Sequence, residues 1–364
     1  MTAPSTDISP ALRDRWRQQA RQSLHWPDAS DIDEPLAGDA SNRRYVRLRS
    51  TDTPSRTAII MLLAAPEAFK ASEEAVNAAA PAVAELPFLN IWRHLDARGI
   101  RVPRLHHYEQ AEGWLLLEDL GDELLSRAVE GQPPNIVRAR YRQAIDELVR
   151  LQTAASTPPD SSCLAFGRRF DDALFMWEFN HFLEYGIEAR QGIALTSAQR
   201  DALRAIFQPI AAELAAEPPC FTHRDYHSRN LMLYQDAIWL IDFQDALLGP
   251  PHYDLASLLR DSYIALPDDT IDELLGYYRQ QSAAAGRPIA DPDRFRRLFD
   301  LVSVQRNLKA AGRFVYIDRV KHNPNFLPSI PRALGNVRAN CRRYPELKPL
   351  HEQLARWVPE FSST

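Results

Sequence analysis

The chain has 364 residues, which is enough for two lobes that each bury a hydrophobic core. A hydrophobic content of 45% and a charged content of 25% are ordinary for a globular protein. The formal net charge of −5 provides no basic excess for nucleic-acid binding, so a basic site for an anionic ligand must be local.

The N-terminal segment MTAPSTDISPALRDRWRQQ lacks the apolar stretch of a secretory signal. The longest apolar run, Ala58 to Ala65, is too short to span a bilayer. Cys163, Cys220 and Cys341 are widely spaced and match no disulfide or zinc motif. We therefore expect a cytoplasmic protein that binds neither membrane nor nucleic acid.

The first third of the chain has a strand-rich pattern with one helical interruption. YVRLRS and TAIIMLL are strand-like, and PFLNIWRHLDARGI has apolar residues at helical spacing, with Gly99 just past its end. RVPRLHHYE and GWLLLEDL predict two more strands. This pattern predicts an N-terminal domain over residues 1–120, built on a small antiparallel sheet.

From Leu124 onward, helical patterns dominate. Three segments have helical apolar spacing: Tyr141–Gln152, Ser197–Ala216 and Phe295–Phe314. Among them, FTHRDYHSRNLMLYQDAIWLIDFQD predicts a loop, a strand, a tight turn at Tyr234–Asp236 and a second strand. We expect a two-lobed α+β fold with a larger helical domain over residues 121–364, a linker near Glu118–Asp122 and a ligand cleft between the lobes.

The motif HRDYHSRN, followed by LIDFQD, carries the strongest chemical signal. Phosphoryl transfer needs a carboxylate to orient the attacking hydroxyl and accept its proton, and oxygen ligands for the Mg²⁺ that bridges the phosphates of ATP. Asp225 is the predicted base, and Asn230 and Asp242 are the predicted Mg²⁺ ligands. The intervening hairpin predicts that Asp242 returns close to Asn230.

Two other interpretations of this motif stay open. An Asp before a strand often serves only as a turn or cap residue. The histidines also allow a zinc site formed by His223, Asp225, His227 and His252, although the sequence supplies no second histidine-rich cluster. Without such a site, we expect His223 and His227 to shape the loop through hydrogen bonds.

The same segment resembles the phosphotransferase motif of the aminoglycoside phosphotransferase family, which shares the protein-kinase-like fold. GPPHYDLASLL resembles the family's next segment, which implies that Asp254 braces the catalytic loop. Alternatively, Asp254 is a helix N-terminal residue that the helix dipole stabilises.

The resemblance extends upstream to the expected nucleotide site. GDASNRRYVRL is similar to the family's phosphate-covering turn, in which backbone amides approach the phosphates. The turn residues would be Gly38, Asp39, Ala40 and Ser41. LLLEDLGD resembles the lobe-connecting hinge, where backbone groups from Glu118 to Leu120 would hold adenine.

One departure concerns the lysine that protein kinases place in the third strand. TAIIMLLAAP contains no lysine, so its role would pass to Arg44 or Arg47, or to backbone amides. The loss also allows a non-catalytic nucleotide-binding sensor. The intact set of Asp225, Asn230 and Asp242 favours an active enzyme.

The acceptor is predicted to be a small molecule. Only twelve positions separate Asp242 from Asp254, which leaves no room for the peptide-docking segment of a protein kinase. The segment FMWEFNHFLEYG is placed to wall a pocket, or it is simply a core helix. The predicted acceptor residues are Trp177, Phe179 and Tyr185 for stacking, and Glu178, Asn180 and His181 for hydroxyl groups.

Within the family, these segments look most like kinases that phosphorylate the anomeric hydroxyl of amino sugars in peptidoglycan recycling. The resemblance implies N-acetylmuramate or N-acetylglucosamine as the small-molecule partner. A carboxylate-bearing sugar would favour a basic partner such as Arg306, Lys309 or Arg313, unless these form a solvated helix face. An aminoglycoside or another small alcohol is the alternative acceptor.

Overall fold

The structure is a computed structural model that describes residues 8–32, 43–63 and 85–362. The described residues group by their contacts into two units. The first contains the residues up to 63 together with Pro103–Asp122, and the second contains residues 85–102 and those from Glu123 onward. The division of the chain into an N-terminal domain over residues 1–120 and a helical domain over residues 121–364 stays a prediction.

The first unit is an antiparallel sheet of five strands with one helix. The strand order is β1-β2-β3-β5-β4, and all neighbouring strands are antiparallel. This arrangement confirms the small antiparallel sheet expected from the sequence. Its elements are α1 Pro10–Leu24, β1 Ala29–Ile32, β2 Arg44–Ser50, β3 Thr57–Leu62, β4 Leu105–Glu109 and β5 Trp114–Glu118.

Alternation along β2 separates the core of this unit from its polar face. Val46 and Leu48 point into a cluster with Trp16 of α1 and are buried. Arg47 and Arg49 lie on the opposite face of the strand. The sheet therefore presents two arginines side by side, and their environments differ.

Arg47 ties β2 to the segment that follows β5. Its guanidinium donates to both carboxylate oxygens of Asp119, at 2.6 and 3.1 Å, and to Asp122 at 2.8 Å. The hydrogen bonds that Arg47 donates to Asp122 and Asp119 raise its pKa, although burial opposes the shift. The side chain of Asp119 is 3% exposed, so Arg47 compensates a nearly buried charge.

Replacing Arg47 with methionine is expected to destabilise the protein by roughly 2 to 3 kcal/mol, because Asp119 would keep a buried, uncompensated charge. Urea denaturation monitored by fluorescence measures the loss. Arg49→Met is the matched control, since Arg49 lies on the same strand and face but is exposed. Equal effects of the two substitutions would contradict the anchoring role of Arg47.

The second unit is mainly helical. Its α-helices are α2 Pro87–Ala97, α3 Leu125–Ala128, α4 Pro134–Ala154, α5 Asp172–His181, α6 Ser197–Ala215, α7 His252–Leu259, α8 Asp268–Ala284, α9 Pro292–Lys321, α10 Ile330–Arg343, α11 Lys348–Leu354 and α12 Pro359–Ser362. A π-helical segment, Phe182–Ala189, continues α5 directly. No helix in the described part of the chain combines the length and apolarity needed to cross a bilayer.

Helix α9 is longer than its apolar pattern predicts. The sequence indicates a helix over Phe295–Phe314, but the structure extends it to Pro292–Lys321. The carboxylate of Asp291 caps its N-terminus by accepting from the N–H groups of Asp293 and Arg294. The helix packs against α5, the π-helical segment, α7 and α10, so tertiary contacts stabilise turns that the apolar pattern alone does not mark.

Two small antiparallel pairs frame the catalytic-loop motif. β6 Cys220–Thr222 pairs with β9 Leu247–Gly249, and β7 Leu231–Tyr234 pairs with β8 Ala237–Leu240. The predicted tight turn between β7 and β8 is confirmed, since Gln235 and Asp236 both adopt positive φ.

Candidate active site

The loop from His223 to Asn230 connects β6 to β7, as the motif predicts. In the β7–β8 hairpin, Leu231 lies opposite Leu240. One residue further out, the N–H of Ile241 donates to the carbonyl of Asn230 at 3.1 Å. The hairpin therefore brings Asn230 beside the residue that immediately precedes Asp242.

His223 connects the loop to the end of this hairpin. Its Nε2 lies 3.0 Å from the carbonyl oxygen of Ile241, and because a carbonyl can only accept, Nε2 is the donor. Burial lowers the pKa of His223, and the carboxylates of Asp225 and Asp242 both oppose that shift. The hydrogen bond to Ile241 places this imidazole, two residues before Asp225, beside the residue that precedes Asp242.

The donor set of Asn230 and Asp242 suits Mg²⁺. The amide nitrogen of Asn230 donates to the carbonyl of Asp225 at 3.0 Å, which directs the amide oxygen away from that bond. Asp242 has a φ of 62°, and Gln244 donates to one of its carboxylate oxygens at 2.8 Å. A carboxylate and an amide oxygen are hard ligands of the kind that Mg²⁺ prefers.

The alternative interpretation of the histidines as a zinc site is not supported by the described side chains. Within the described ranges, no three His, Cys, Asp or Glu side chains are arranged to hold a metal ion. His252 packs instead against the ring of Phe295, with 4.6 Å between centroids. His227 donates its backbone N–H to the carbonyl of Asp225, and its ring meets the ring of Tyr263 edge-on.

His252 is buried in its neutral form, so the stability of the protein depends on pH. Burial lowers the pKa of His252 to about 3, with Arg294 contributing, whereas an unfolded histidine titrates near 6.5. The unfolded chain therefore binds a proton that the native chain does not, and stability is lost as the pH falls through about 6.5 toward 3.

Replacing His252 with phenylalanine should remove this contribution. Between pH 7.5 and pH 5, the variant is expected to gain about 2 kcal/mol of unfolding free energy relative to the unmodified protein. Urea denaturation at both pH values measures the difference. His322→Asn is the control, because His322 is exposed, and a gain of the same size there would contradict the assignment.

Asp254, in the first turn of α7, supports the start of the loop. Its two carboxylate oxygens accept from the backbone N–H groups of His223, at 2.6 Å, and Arg224, at 2.9 Å. Burial raises the pKa of Asp254 to about 7, and the two backbone hydrogen bonds oppose the shift. These contacts match the bracing role that the family resemblance implies.

The backbone of Arg224 adopts a φ of 80°, a conformation that non-glycine residues rarely occupy. The carboxylate of Asp254 accepts from the backbone N–H of Arg224, and the guanidinium of Arg306 donates to the carbonyl of Arg224 at 2.6 Å. The side chain of Arg224 donates to Glu178 at 2.9 Å. Three long-range contacts therefore fix the residue immediately before Asp225.

Glu178, a predicted acceptor residue, lies fully buried on α5 at the centre of a polar network. One carboxylate oxygen contacts Arg224 at 2.9 Å and the ammonium of Lys309 at 3.2 Å. The other accepts from Gln305 at 2.7 Å and from the hydroxyl of Tyr253 at 3.4 Å. These contacts show Glu178 as a support for the loop, and binding of a sugar hydroxyl by Glu178 stays a prediction.

Cations around this polar network also lower the pKa of Asp225. Burial alone would raise the pKa of Asp225, but the positive charges of Lys309 and Arg306, followed by Arg224, hold it well below its usual range. Asp225 is therefore ionised throughout the neutral pH range and able to accept a hydrogen bond from a hydroxyl group.

Asn180 and His181, the other two residues predicted to bind hydroxyl groups, lie on different faces of α5. The side-chain oxygen of Asn180 accepts from Arg204 of α6 at 2.8 Å. His181 is buried among three aromatic rings, stacked on Trp177 at 5.8 Å and packed near Tyr185 at 4.8 Å and Tyr316 at 5.7 Å. Acceptor binding by both residues stays a prediction.

The predicted nucleotide residues are only partly covered by the structure. Gly38, Asp39, Ala40 and Ser41 lie outside the described residues. Arg44 begins β2 opposite Leu62 and is exposed. Glu118 ends β5, where it exchanges hydrogen bonds with the backbone of Arg104, and Leu120 is buried. Their contacts with a nucleotide stay predictions.

Sequence reasoning missed the polar interior of α9. The sequence patterns predict no role for Gln305, and they predict Lys309 only as a partner for an acidic sugar. Both lie in the predicted helix at positions i and i+4, a spacing that places two polar side chains on one face of that helix. This spacing is the sequence feature that could have indicated a polar network on α9.

Comparison with known proteins places the chain in a family. The model of the phosphotransferase enzyme family matches residues 33–298. A protein from Neisseria meningitidis serogroup B, called N-acetylmuramate/N-acetylglucosamine kinase, is 32% identical over 326 residues, 88% of this chain and 89% of its own length. The chain belongs to this phosphotransferase family, which confirms the resemblance seen in the sequence.

Solved structures show the same fold at low identity. Choline kinase LicA from Streptococcus pneumoniae has a TM-score of 0.58 at 12% identity, covering 90% of this chain and 99% of its own. The ADP-bound aminoglycoside phosphotransferase APH(2″)-Ib has a TM-score of 0.54 at 14% identity, covering 90% and 98%. These similarities confirm the predicted kinase-like fold class.

Proposed function

We propose that the protein is an ATP-dependent kinase that transfers the γ-phosphoryl group to the anomeric hydroxyl of N-acetylmuramate and N-acetylglucosamine. The observation that carries the phosphotransferase part is the convergence of Asp225, Asn230 and Asp242 around one loop and hairpin. The choice of amino sugar rests on relatives of that name, which align over most of both chains.

In this mechanism Asp225 orients the acceptor hydroxyl and receives its proton. The surrounding cations make Asp225 a weak base. A weak base is sufficient, because phosphoryl transfer depends mainly on positioning and charge stabilisation and little on early deprotonation. Asp254 and Arg306 hold the backbone of Arg224, and Glu178 holds its side chain, so the residue that precedes Asp225 is fixed on three sides.

Asn230 and Asp242 would hold Mg²⁺, which neutralises charge on the phosphates when bound. The hydrogen bond from Asn230 to the carbonyl of Asp225 couples this site to the base. This contact holds the proposed metal ligand beside the backbone of the proposed base, which favours alignment of the hydroxyl with the phosphate.

An ADP-release assay with a panel of acceptors tests the proposal. We expect turnover with N-acetylmuramate and N-acetylglucosamine, and weak or no turnover with an aminoglycoside or choline. The methyl glycoside of N-acetylglucosamine is the matched control, because its anomeric oxygen carries no proton. Turnover of the glycoside would contradict transfer to the anomeric hydroxyl, and tight ATP binding without any phosphorylated product would favour the sensor alternative.

A further inference from the structure

The second half of the catalytic loop, His227–Asn230, ends at the proposed Mg²⁺ ligand and is anchored by Asp261. This aspartate lies two residues past the end of α7 and is 3% exposed. One oxygen of its carboxylate accepts from the backbone N–H of Ser228 at 2.9 Å, and the other accepts from the backbone N–H of Tyr263 at 2.7 Å. The two contacts fix both peptide groups, because a buried N–H without a partner would cost free energy.

The contact with Tyr263 places the ring of that residue against the loop. A side-chain oxygen of Asp261 that accepts from the N–H two residues later closes an Asx turn. Arg332 of α10 donates to the carbonyl of Tyr263, so the turn is held by a second contact. The ring of Tyr263 meets the ring of His227 edge-on, with 5.3 Å between centroids, and the guanidinium of Arg229 lies 3.9 Å from the ring centroid of Tyr263. Asp261 therefore supports the loop residues on both sides of the one that it binds directly.

Ser228 is the fixed point of a tight turn that ends at Asn230. Its side chain is fully buried, and its carbonyl accepts from the backbone N–H of Ser126 in α3 at 3.1 Å. The backbone N–H of Asn230 donates to the carbonyl of His227 at 2.9 Å, which closes a four-residue turn with Ser228 at its second position. The place of Asn230 therefore depends on the contacts that hold the two sides of the Ser228 peptide unit.

Two aspartates near the ends of α7 hold different halves of the loop. Asp254, in the first turn of α7, accepts from the backbone N–H groups of His223 and Arg224, which precede the proposed base. Asp261, just past the other end, accepts from the backbone N–H of Ser228, which follows the base. The half of the loop that leads to the proposed metal ligand thus has a support separate from that of the half that leads to the base.

We propose that Asp261 is a positioning residue for the Mg²⁺ site, because it holds the turn that presents the amide oxygen of Asn230. This inference rests on the proposed function, in which Asn230 is a metal ligand, and it adds the residue that keeps this ligand in place. Residues that hold metal ligands without touching the metal tune its affinity. The expected effect of losing Asp261 is therefore weaker Mg²⁺ binding, beyond any general loss of stability.

The test measures the affinity of the protein for AMP-PNP, a non-hydrolysable ATP analogue, by isothermal titration calorimetry with and without Mg²⁺. The ratio of the two affinities is the Mg²⁺-dependent gain. Asp261→Asn keeps the size of the side chain but offers one acceptor oxygen to two N–H donors, so one of the two hydrogen bonds is lost. The gain should fall roughly 10-fold in this variant, while the affinity without Mg²⁺ changes little. No acceptor sugar is needed, so the result does not depend on the choice of acceptor.

Asp300→Asn is the matched control for a purely structural role. Asp300 is also buried, and its carboxylate accepts from Arg296 at 2.9 Å and from the hydroxyl of Tyr344 at 2.8 Å, neither of which belongs to the catalytic loop. We expect Asp300→Asn to lower the urea midpoint of unfolding and to keep the Mg²⁺-dependent gain. An unchanged gain in Asp261→Asn, or an equal loss of the gain in both variants, would overturn the inference.

Tyr263→Leu provides the test if Asp261→Asn does not fold. It keeps the buried carboxylate and its two backbone hydrogen bonds but removes the ring that contacts His227 and Arg229. The Mg²⁺-dependent gain should fall about 3-fold, and an unchanged gain would overturn the inference. If the unmodified protein shows no such gain, the proposed metal site fails and this inference with it. An intact gain without phosphorylation of either sugar would contradict only the choice of acceptor.

Discussion

Asp225→Asn is expected to lower kcat at least 100-fold, while the protein still folds and binds ATP. The substitution keeps the size of the side chain but removes the proton acceptor, and general base groups contribute roughly 10²- to 10⁴-fold to rate. The KM for ATP should change little, because Asp225 acts on the acceptor hydroxyl. Steady-state kinetics and circular dichroism measure the two effects.

The control for this substitution lies on the hairpin that follows the loop of Asp225. Asp236 sits in the turn between β7 and β8, is exposed and pairs with Arg140. Because its φ is positive, asparagine fits that position without added strain. Asp236→Asn should retain full turnover. An Asp225→Asn enzyme with full turnover would show that another group orients the hydroxyl.

Asp242→Asn is expected to have an effect of similar size by a different route. Loss of the carboxylate weakens the proposed Mg²⁺ site, so kcat should fall roughly 100-fold or more and the half-saturating Mg²⁺ concentration should rise at least 10-fold. Asparagine is the informative replacement, because it tolerates the φ of 62° at this position, whereas alanine would add backbone strain.

The Mg²⁺ dependence separates this result from that of Asp225→Asn. A damaged base lowers kcat at every Mg²⁺ concentration, but a damaged metal ligand is partly rescued by more Mg²⁺. Titration of both variants with MgCl₂ at saturating ATP makes the comparison. An Asp242→Asn enzyme with the metal requirement of the unmodified protein would remove Asp242 from the metal site.

The sequence was sufficient for the parts of the site whose geometry is local. The spacing from Asp225 to Asn230 spans one loop, and the hairpin to Asp242 needs only two short strands and a two-residue turn. Local backbone rules determine such features, so residue spacing predicts them well. The antiparallel sheet was predictable for the same reason, because the alternation along β2 and the apolar run of β3 are both visible in the residues.

The polar network around Glu178 was not predictable in this way. Its partners, Arg224, Tyr253, Gln305 and Lys309, come from a loop and two other helices that are distant in sequence. The spacing within FMWEFNHFLEYG shows only that Glu178 lies among aromatic residues. Whether that face meets solvent or another helix depends on tertiary packing.

The close backbone contact at Gly312 was also not predictable from the sequence. A glycine inside a helical pattern usually lowers confidence in the helix, and nothing in the adjacent residues identifies its neighbour. The neighbour is the backbone at His181 and Phe182, about 130 residues earlier in the chain. Only the folded arrangement connects the two positions.

The position of the transferred phosphate tests the central claim most directly. The unmodified protein is incubated with N-acetylmuramate, ATP and Mg²⁺, and the product is analysed by ³¹P and ¹³C NMR. The account predicts one phosphate on the anomeric oxygen, visible as phosphorus coupling to C1, and no such product from Asp225→Asn. A phosphate on any other oxygen, or anomeric phosphate formed equally well by Asp225→Asn, would contradict it.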